Sequence, residues 1–272
     1  MDNQRPIGIF DSGFGGLTVA RAVIDLLPEE DVVYFGDTAR YPYGPQPLQK
    51  VREYAEEITD FLIAKHDVKM VIIACNTAAA AALGSLGDTL EIPVVGVIEP
   101  GAQAVVEVST RKRIGVIGTV GTINSGAYQK TIQAITDANT EVTCIPCPGF
   151  VEFVERGESS GEQIQILAQR LLDPIVKADV DALLLGCTHY PYLARTIGSV
   201  VGENVVLVSS ADETAFAVSK ILKEKNLESL QRKTGNRTFI SSGDVSWFAE
   251  LGQRLFGPEL ASAESHEWST GS

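Results

Sequence analysis

Short apolar segments recur along this chain, and stretches of helical character separate them. The segments are Ile7–Phe10, Val32–Phe35, Val71–Ala74, Val94–Val97, Ile114–Ile117, Val142–Ile145, Ala182–Leu185, Val205–Val208 and Thr238–Ser241. Continuous apolar runs of this length suit strands buried on both faces, and helical connections between them return the chain so that neighbouring strands run parallel. Helical periodicity is plain in Leu48–Ala64, Gly161–Val176, Glu213–Lys225 and Val245–Phe256. Asp212, or one of the serines before it, is placed to cap the third of these. The alternation specifies an α/β fold with a largely parallel sheet.

An internal echo divides it. Ile7-Gly-Ile-Phe-Asp-Ser-Gly-Phe-Gly-Gly16 and Ile114-Gly-Val-Ile-Gly-Thr-Val-Gly-Thr122 are both strands running into glycine-rich turns. From each, a cysteine-bearing apolar run follows after about 70 residues, which points to two related α/β units rather than a solenoid. The second unit is expected at 99–207, with 1–98 and 208–260 completing the first. The stretch Ala261–Ser272 is polar and aperiodic and reads as a disordered tail.

With 272 residues, 44% of them hydrophobic, the chain has ample core for two units. Its net charge of −13 argues against nucleic acid or an anionic membrane as a partner, since both need a basic footprint. No apolar run is long enough for an export signal or a membrane helix, because the one at 71–84 is broken by Asn76 and Thr77. A cytoplasmic setting is the expectation, and there four cysteines are thiols rather than disulfides.

Cys75 and Cys187 each stand where a buried strand gives way to small polar residues, in Cys75-Asn-Thr and Cys187-Thr-His. A lone cysteine in such a run is usually inert core. Two at matching strand ends, one per unit, can face one carbon from opposite sides in the crevice beyond the carboxyl ends of parallel strands. That suits removing a proton from one face of a stereocentre and delivering another to the opposite face. Asn76, Thr77 and Thr188 offer hydrogen-bond donors without fixed positive charge, and His189 can tune Cys187 or share its proton.

Other motifs admit two readings. Asp11-Ser-Gly-Phe-Gly-Gly-Leu-Thr18 lacks the Lys-Ser/Thr of a P-loop and the glycine spacing of dinucleotide folds. It is either a tight strand-to-helix connection or a carboxylate cradle of backbone N–H groups and the Ser12 hydroxyl, with Asp11 holding an ammonium or relaying a proton. The proline-rich loop Gly36–Pro47 is either a packed contact loop or a stiff arm that presents Tyr43 and the Gly44 N–H to a ligand. Cys144-Ile-Pro-Cys147 has no second ligand pair for zinc, so no metal is expected; a thioredoxin-like redox pair competes with plain buried thiols. Glu152 and Glu155 lie one helical turn apart, and either can supply a carboxylate on the Cys187 side.

Taken together, the blocks Asp11-Ser-Gly, Gly36-Asp-Thr-Ala-Arg…Pro42-Tyr-Gly44, Ala74-Cys-Asn-Thr-Ala78, Gly118-Thr…Gly121-Thr, Gly186-Cys-Thr-His-Tyr-Pro191 and Ser242-Gly-Asp-Val…Phe248 resemble the glutamate racemases, a family of cofactor-independent aspartate/glutamate racemases. The resemblance runs over most of the chain. It implies two flavodoxin-like α/β domains with mostly parallel sheets and glutamate in the cleft between them. It further implies Asp11, Ser12, Tyr43, Gly44, Asn76, Thr77, Thr188 and His189 as binding residues, and Cys75 and Cys187 as acid/base thiols for D- and L-glutamate respectively. Asp11, His189 and Glu155 are implied as their catalytic helpers. No cofactor, a homodimer, and a role in peptidoglycan synthesis are also implied. The rivals are a sister racemase acting on aspartate or hydantoins, a maleate isomerase, a two-domain amino-acid-binding protein, and a C-x-x-C oxidoreductase.

Overall fold

The computed structural model describes residues 3–260 and 262–268. The chain begins with β1 (Ile7–Asp11), α1 (Leu17–Leu26), β2 (Val32–Gly36), α2 (Leu48–His66), β3 (Met70–Ile73), α3 (Asn76–Thr89), β4 (Val94–Gly96) and α4 (Ile98–Val108). It continues through β5 (Arg113–Gly118), α5 (Val120–Asn124), α6 (Ala127–Ile135), β6 (Glu141–Pro146), α7 (Phe150–Glu155), α8 (Glu162–Lys177) and β7 (Ala182–Gly186). A 3-10 turn at Tyr190–Leu193 leads to α9 (Ala194–Val201), β8 (Val206–Ser209), α10 (Ser210–Glu224), β9 (Arg237–Ser241), α11 (Val245–Leu255) and β10 (Glu264–Ser265).

Among the described residues the strands form two sheets, in the orders β10-β9-β2-β1-β3-β4 and β6-β5-β7-β8, and every pairing is parallel. Burial explains the unbroken apolar runs: β1, β2, β3 and β7 are buried at every position. In the second sheet, alternate residues separate two cores. Ile114, Val116, Ala182, Leu184 and Val208 join the core shared with the first sheet, whereas Ile117, Leu183 and Leu185 join a second core with α7, α8 and α9. Helices α4 and α10 lie between the sheets, α10 touching α1, α4, β4 and β7. No helix among the described residues is long and apolar enough to cross a membrane.

The structure departs from sequence expectation at two places. Strand β8 continues to Ser209, so the expected boundary at 207/208 falls inside a strand of the second sheet, and Ser209 caps α10, its side chain accepting the Ala211 N–H. The expectation of a disordered tail is corrected over 262–268. There β10 pairs with β9, the His266 N–H donates to Ser241 O at 2.9 Å, and the His266 ring packs 4.2 Å from Phe61 and 4.5 Å from Trp268. Ala261 and 269–272 lie outside the described residues. An edge strand needs backbone partners on one side only, so two polar residues suffice without apolar alternation.

Candidate active site

Strands of both sheets deliver their carboxyl ends to one cavity of about 100 Å³. Its wall includes Ser12, Tyr43, Gly44, Cys75, Asn76 and Thr77 from the first unit, and Thr119, Cys147, Glu152, Cys187, Thr188 and His189 from the second. Cys75 leaves β3 in an extended conformation (φ −67°, ψ 118°) and caps α3, so the thiol sits beside the unpaired N–H groups of a helix start. Cys187 follows β7 in the equivalent place, ahead of the 3-10 turn.

On the Cys75 side, Asp11 ends β1 completely buried. It accepts hydrogen bonds from the Gly13 N–H at 2.9 Å and, across the cleft, from the Thr188 hydroxyl at 3.2 Å. Burial raises its pKa, against the lowering effect of the His189 charge and these hydrogen bonds. The Cys75 thiol donates to Ser12 Oγ at 3.8 Å. Burial and then the neighbouring Asp11 push it up to about 12, with the Ala78 N–H and the Ser12 hydroxyl pulling the other way. Cys75 is therefore a protonated thiol at neutral pH, poised to donate.

On the opposite side, Cys187 Sγ lies 3.9 Å from His189 Nδ1, and His189 Nε2 lies 3.2 Å from Glu155 Oε1. The sequence left Glu152 and Glu155 as alternatives: Glu155 pairs with the histidine, and Glu152 lies on the cavity wall. Burial alone would lower the His189 pKa, but the hydrogen bonds its ring donates to Cys187 and Glu155, with the charges of Cys187 and Asp11, outweigh it and raise the value to about 10. An imidazolium that keeps its proton to about pH 10 when folded, and sheds it near 6.5 when unfolded, stabilises the fold fully below 6.5 and progressively less as pH climbs through 10. Unfolding free energy is expected to fall over that window, and His189→Asn to flatten the fall. Urea titrations across the window check this; equal slopes in the two proteins would contradict it.

The remaining polar residues bridge the units. Thr77 Oγ1 lies 2.9 Å from Thr119 Oγ1 and 3.1 Å from Thr122 Oγ1. The Asn76 amide donates to the Tyr128 hydroxyl at 2.6 Å, while its Oδ1 is buried without a protein partner. The Gly121 N–H donates to Gly44 O at 2.8 Å, and a Cβ on either glycine would come within 2.8 Å of the facing segment. Only glycine permits this approach.

Tyr43 differs from expectation. Its hydroxyl turns from the ligand space to donate to buried Asp37, so its part in the wall falls to its ring and backbone. The C-x-x-C pair is unbonded, and burial pushes each thiol up to about 12, the opposite of a reactive redox thiol. Cys147 nevertheless lies on the cavity wall, as do Tyr41, Thr119 and Val120, which sequence reasoning did not select as site residues. The Gly118-Thr…Gly121-Thr turn, so like the first glycine-rich turn, was the signal available for Thr119.

A profile of the Asp/Glu/Hydantoin racemase family matches residues 17–218. The glutamate racemase of Corynebacterium diphtheriae is 48% identical over 262 residues, covering 96% of this chain and 98% of its own. Among solved structures, a glutamate racemase of Bacillus anthracis superposes with a TM-score of 0.92 at 39% identity, covering 98% of both chains. That of Francisella tularensis, solved in complex with D-glutamate, gives 0.89 at 34% identity over 98% of both. With this cleft, these matches and this coverage, the chain belongs to the Asp/Glu/hydantoin racemase family and is an amino-acid racemase.

Proposed function

We propose that this racemase interconverts L- and D-glutamate without a cofactor, by proton transfer between Cys75, Cys187 and the substrate Cα. The observation that carries the reading is that two thiols from the ends of strands in different sheets line one small cavity. A thiolate on one wall removes the Cα proton and a thiol on the other returns one to the opposite face. A protonated Cys75 fits the form that accepts L-glutamate, with Cys187 as base and Cys75 as acid.

An amino-acid Cα–H is a very weak acid, so the deprotonated carboxylate must be met by donors already in place. The Thr77 and Thr188 hydroxyls on the cavity wall and the N–H groups at the start of α3 would supply such donors, and buried Asp11 would suit the substrate ammonium. Glu155 and His189 orient and tune Cys187. The Asp/Glu/hydantoin family spans several substrates; the glutamate racemases at 48% identity favour glutamate over aspartate. D-Glutamate made this way would serve peptidoglycan synthesis in the cytoplasm, by a homodimeric enzyme.

The test is incubation of the purified protein with L-glutamate in D₂O, no cofactor added, followed by circular dichroism and proton NMR. Decay of optical activity to zero, with deuterium entering Cα, is the expected result. An unchanged glutamate sample alongside racemised aspartate would move the substrate to the sister activity.

A further inference from the structure

The mechanism leaves Asp37 and the segment 262–268 without a role, yet the two meet. Asp37 is fully buried directly after β2, and its backbone N–H donates to the carbonyl of Asp11 at 3.0 Å. Both carboxylate oxygens are saturated with donors. Oδ1 accepts from Ser242 Oγ at 2.7 Å and Trp268 Nε1 at 2.9 Å; Oδ2 accepts from Arg40 Nε at 2.7 Å and from the Tyr43 hydroxyl. Trp268 also lies 3.9 Å from the Arg40 guanidinium, which rests 4.1 Å from the Tyr54 ring; Tyr54 in turn packs 5.5 Å from Tyr43. Pairing of β10 with β9 brings Trp268 to this place.

One line of contacts therefore runs from the edge of the first sheet, through Trp268 and Asp37, to Tyr43 and the adjoining Gly44 on the cavity wall. We propose that segment 262–268 is a strap that holds the 41–45 loop in its substrate-binding position, with Trp268 as a positioning residue acting through Asp37 and Tyr43. The consequence for catalysis rests on the racemase reading above; the effect on the loop does not. A carboxylate buried this deeply keeps a single geometry only while its donors are in place. Removing the indole N–H frees Oδ1 on that side and lets Asp37, and with it Tyr43, shift. On the racemase reading the loop is to meet substrate away from the reacting Cα, where it would contribute equally to ground and transition states, so its loss is read in KM.

The test uses Trp268→Phe, which keeps the ring over Arg40 and deletes the donor, beside Trp268→Ala, which deletes both. The Phe variant is expected to raise KM for both glutamate enantiomers about tenfold, the low end of what one hydrogen bond to a charged group is worth, with kcat within about twofold. The Ala variant should go further in the same direction. Amide hydrogen exchange over 41–46 reads the loop without any turnover: faster exchange there, with β1 and β3 amides unchanged, is expected in both variants. Unchanged exchange and unchanged KM, or a kcat that falls with the folded fraction while KM stays constant, would overturn the strap. If the unaltered protein did not racemise glutamate, the substrate reading would fall while the exchange measurement still decided the strap.

Discussion

Replacing Cys187 by alanine is expected to lower kcat at least about 10³-fold in both directions, because each direction uses this sulfur once, as base or as acid. Cysteine at this place has no understudy. His189 is bound to Glu155 and holds its proton to about pH 10, so it cannot take over as base near neutrality. The variant should nevertheless retain half of the chemistry. Cys75 still faces one side of Cα, so D-glutamate should slowly exchange its Cα proton for deuterium in D₂O without inverting, while L-glutamate stays unlabelled. NMR of each enantiomer separately reads this directly. Racemisation near the unaltered rate, or equal labelling of the two hands, would rule out a division of labour between the thiols. The reciprocal Cys75→Ala variant should reverse the labelling.

Gly15→Ala is expected to cost about 100-fold in kcat/KM, alongside about 1–3 kcal/mol of stability lost to overpacking. A Cβ at position 15 would stand 2.2 Å from Thr188 Oγ1, 2.4 Å from His189 Nδ1 and 2.6 Å from His189 Cε1. These atoms belong to two buried site residues, one bonded to Asp11 and the other beside Cys187. They can retreat only by about an ångström of displacement, which is the scale at which positioned catalysis is lost. Gly84→Ala serves as the control, since a Cβ there meets nothing within 4 Å and lies inside α3. It should gain about 0.5–1 kcal/mol of stability from helix propensity and leave the rate alone. Kinetics and urea unfolding of the two variants separate the effects, and a Gly15→Ala enzyme of normal kcat/KM would show that the cleft tolerates a wider gap.

The parts of this molecule that announced themselves in sequence are those whose physical cause is local. Strands buried on both faces must be apolar along their length, so β1, β2, β3 and β7 surface as unbroken runs, and the half-buried β6, β8 and β9 still show as shorter ones, displaced by a residue or so at their ends. Helix α3 is less visible: its Ala-rich stretch Asn76–Thr89 is largely buried and so has no polar stripe to set a period. Strand β10 is invisible because its pairing uses backbone alone. The same split runs through the site. Cysteines at two strand ends could be picked out by type and place, and the structure brings both to one cavity. The direction of the Tyr43 hydroxyl depends on a carboxylate six residues earlier and an indole at position 268, a combination no local pattern encodes. The choice of Glu155 over Glu152 as the partner of His189 likewise depends on how α7 packs against the 3-10 turn.

The strand order has a consequence for synthesis. Strands of the second sheet are contiguous in the chain, from β5 to β8, whereas β2 of the first pairs on one side with β9, Val32 lying opposite Arg237. A ribosome thus delivers everything needed to close the second sheet before it delivers the partner for β2. Until then the Val32-Val-Tyr-Phe35 edge is an open template for another nascent chain. Pairing across so long a stretch of chain is also slow to nucleate. The vulnerable interval in the life of this racemase therefore runs from the synthesis of β2 to the arrival of β9 and β10, and it ends only when they reach the sheet they complete.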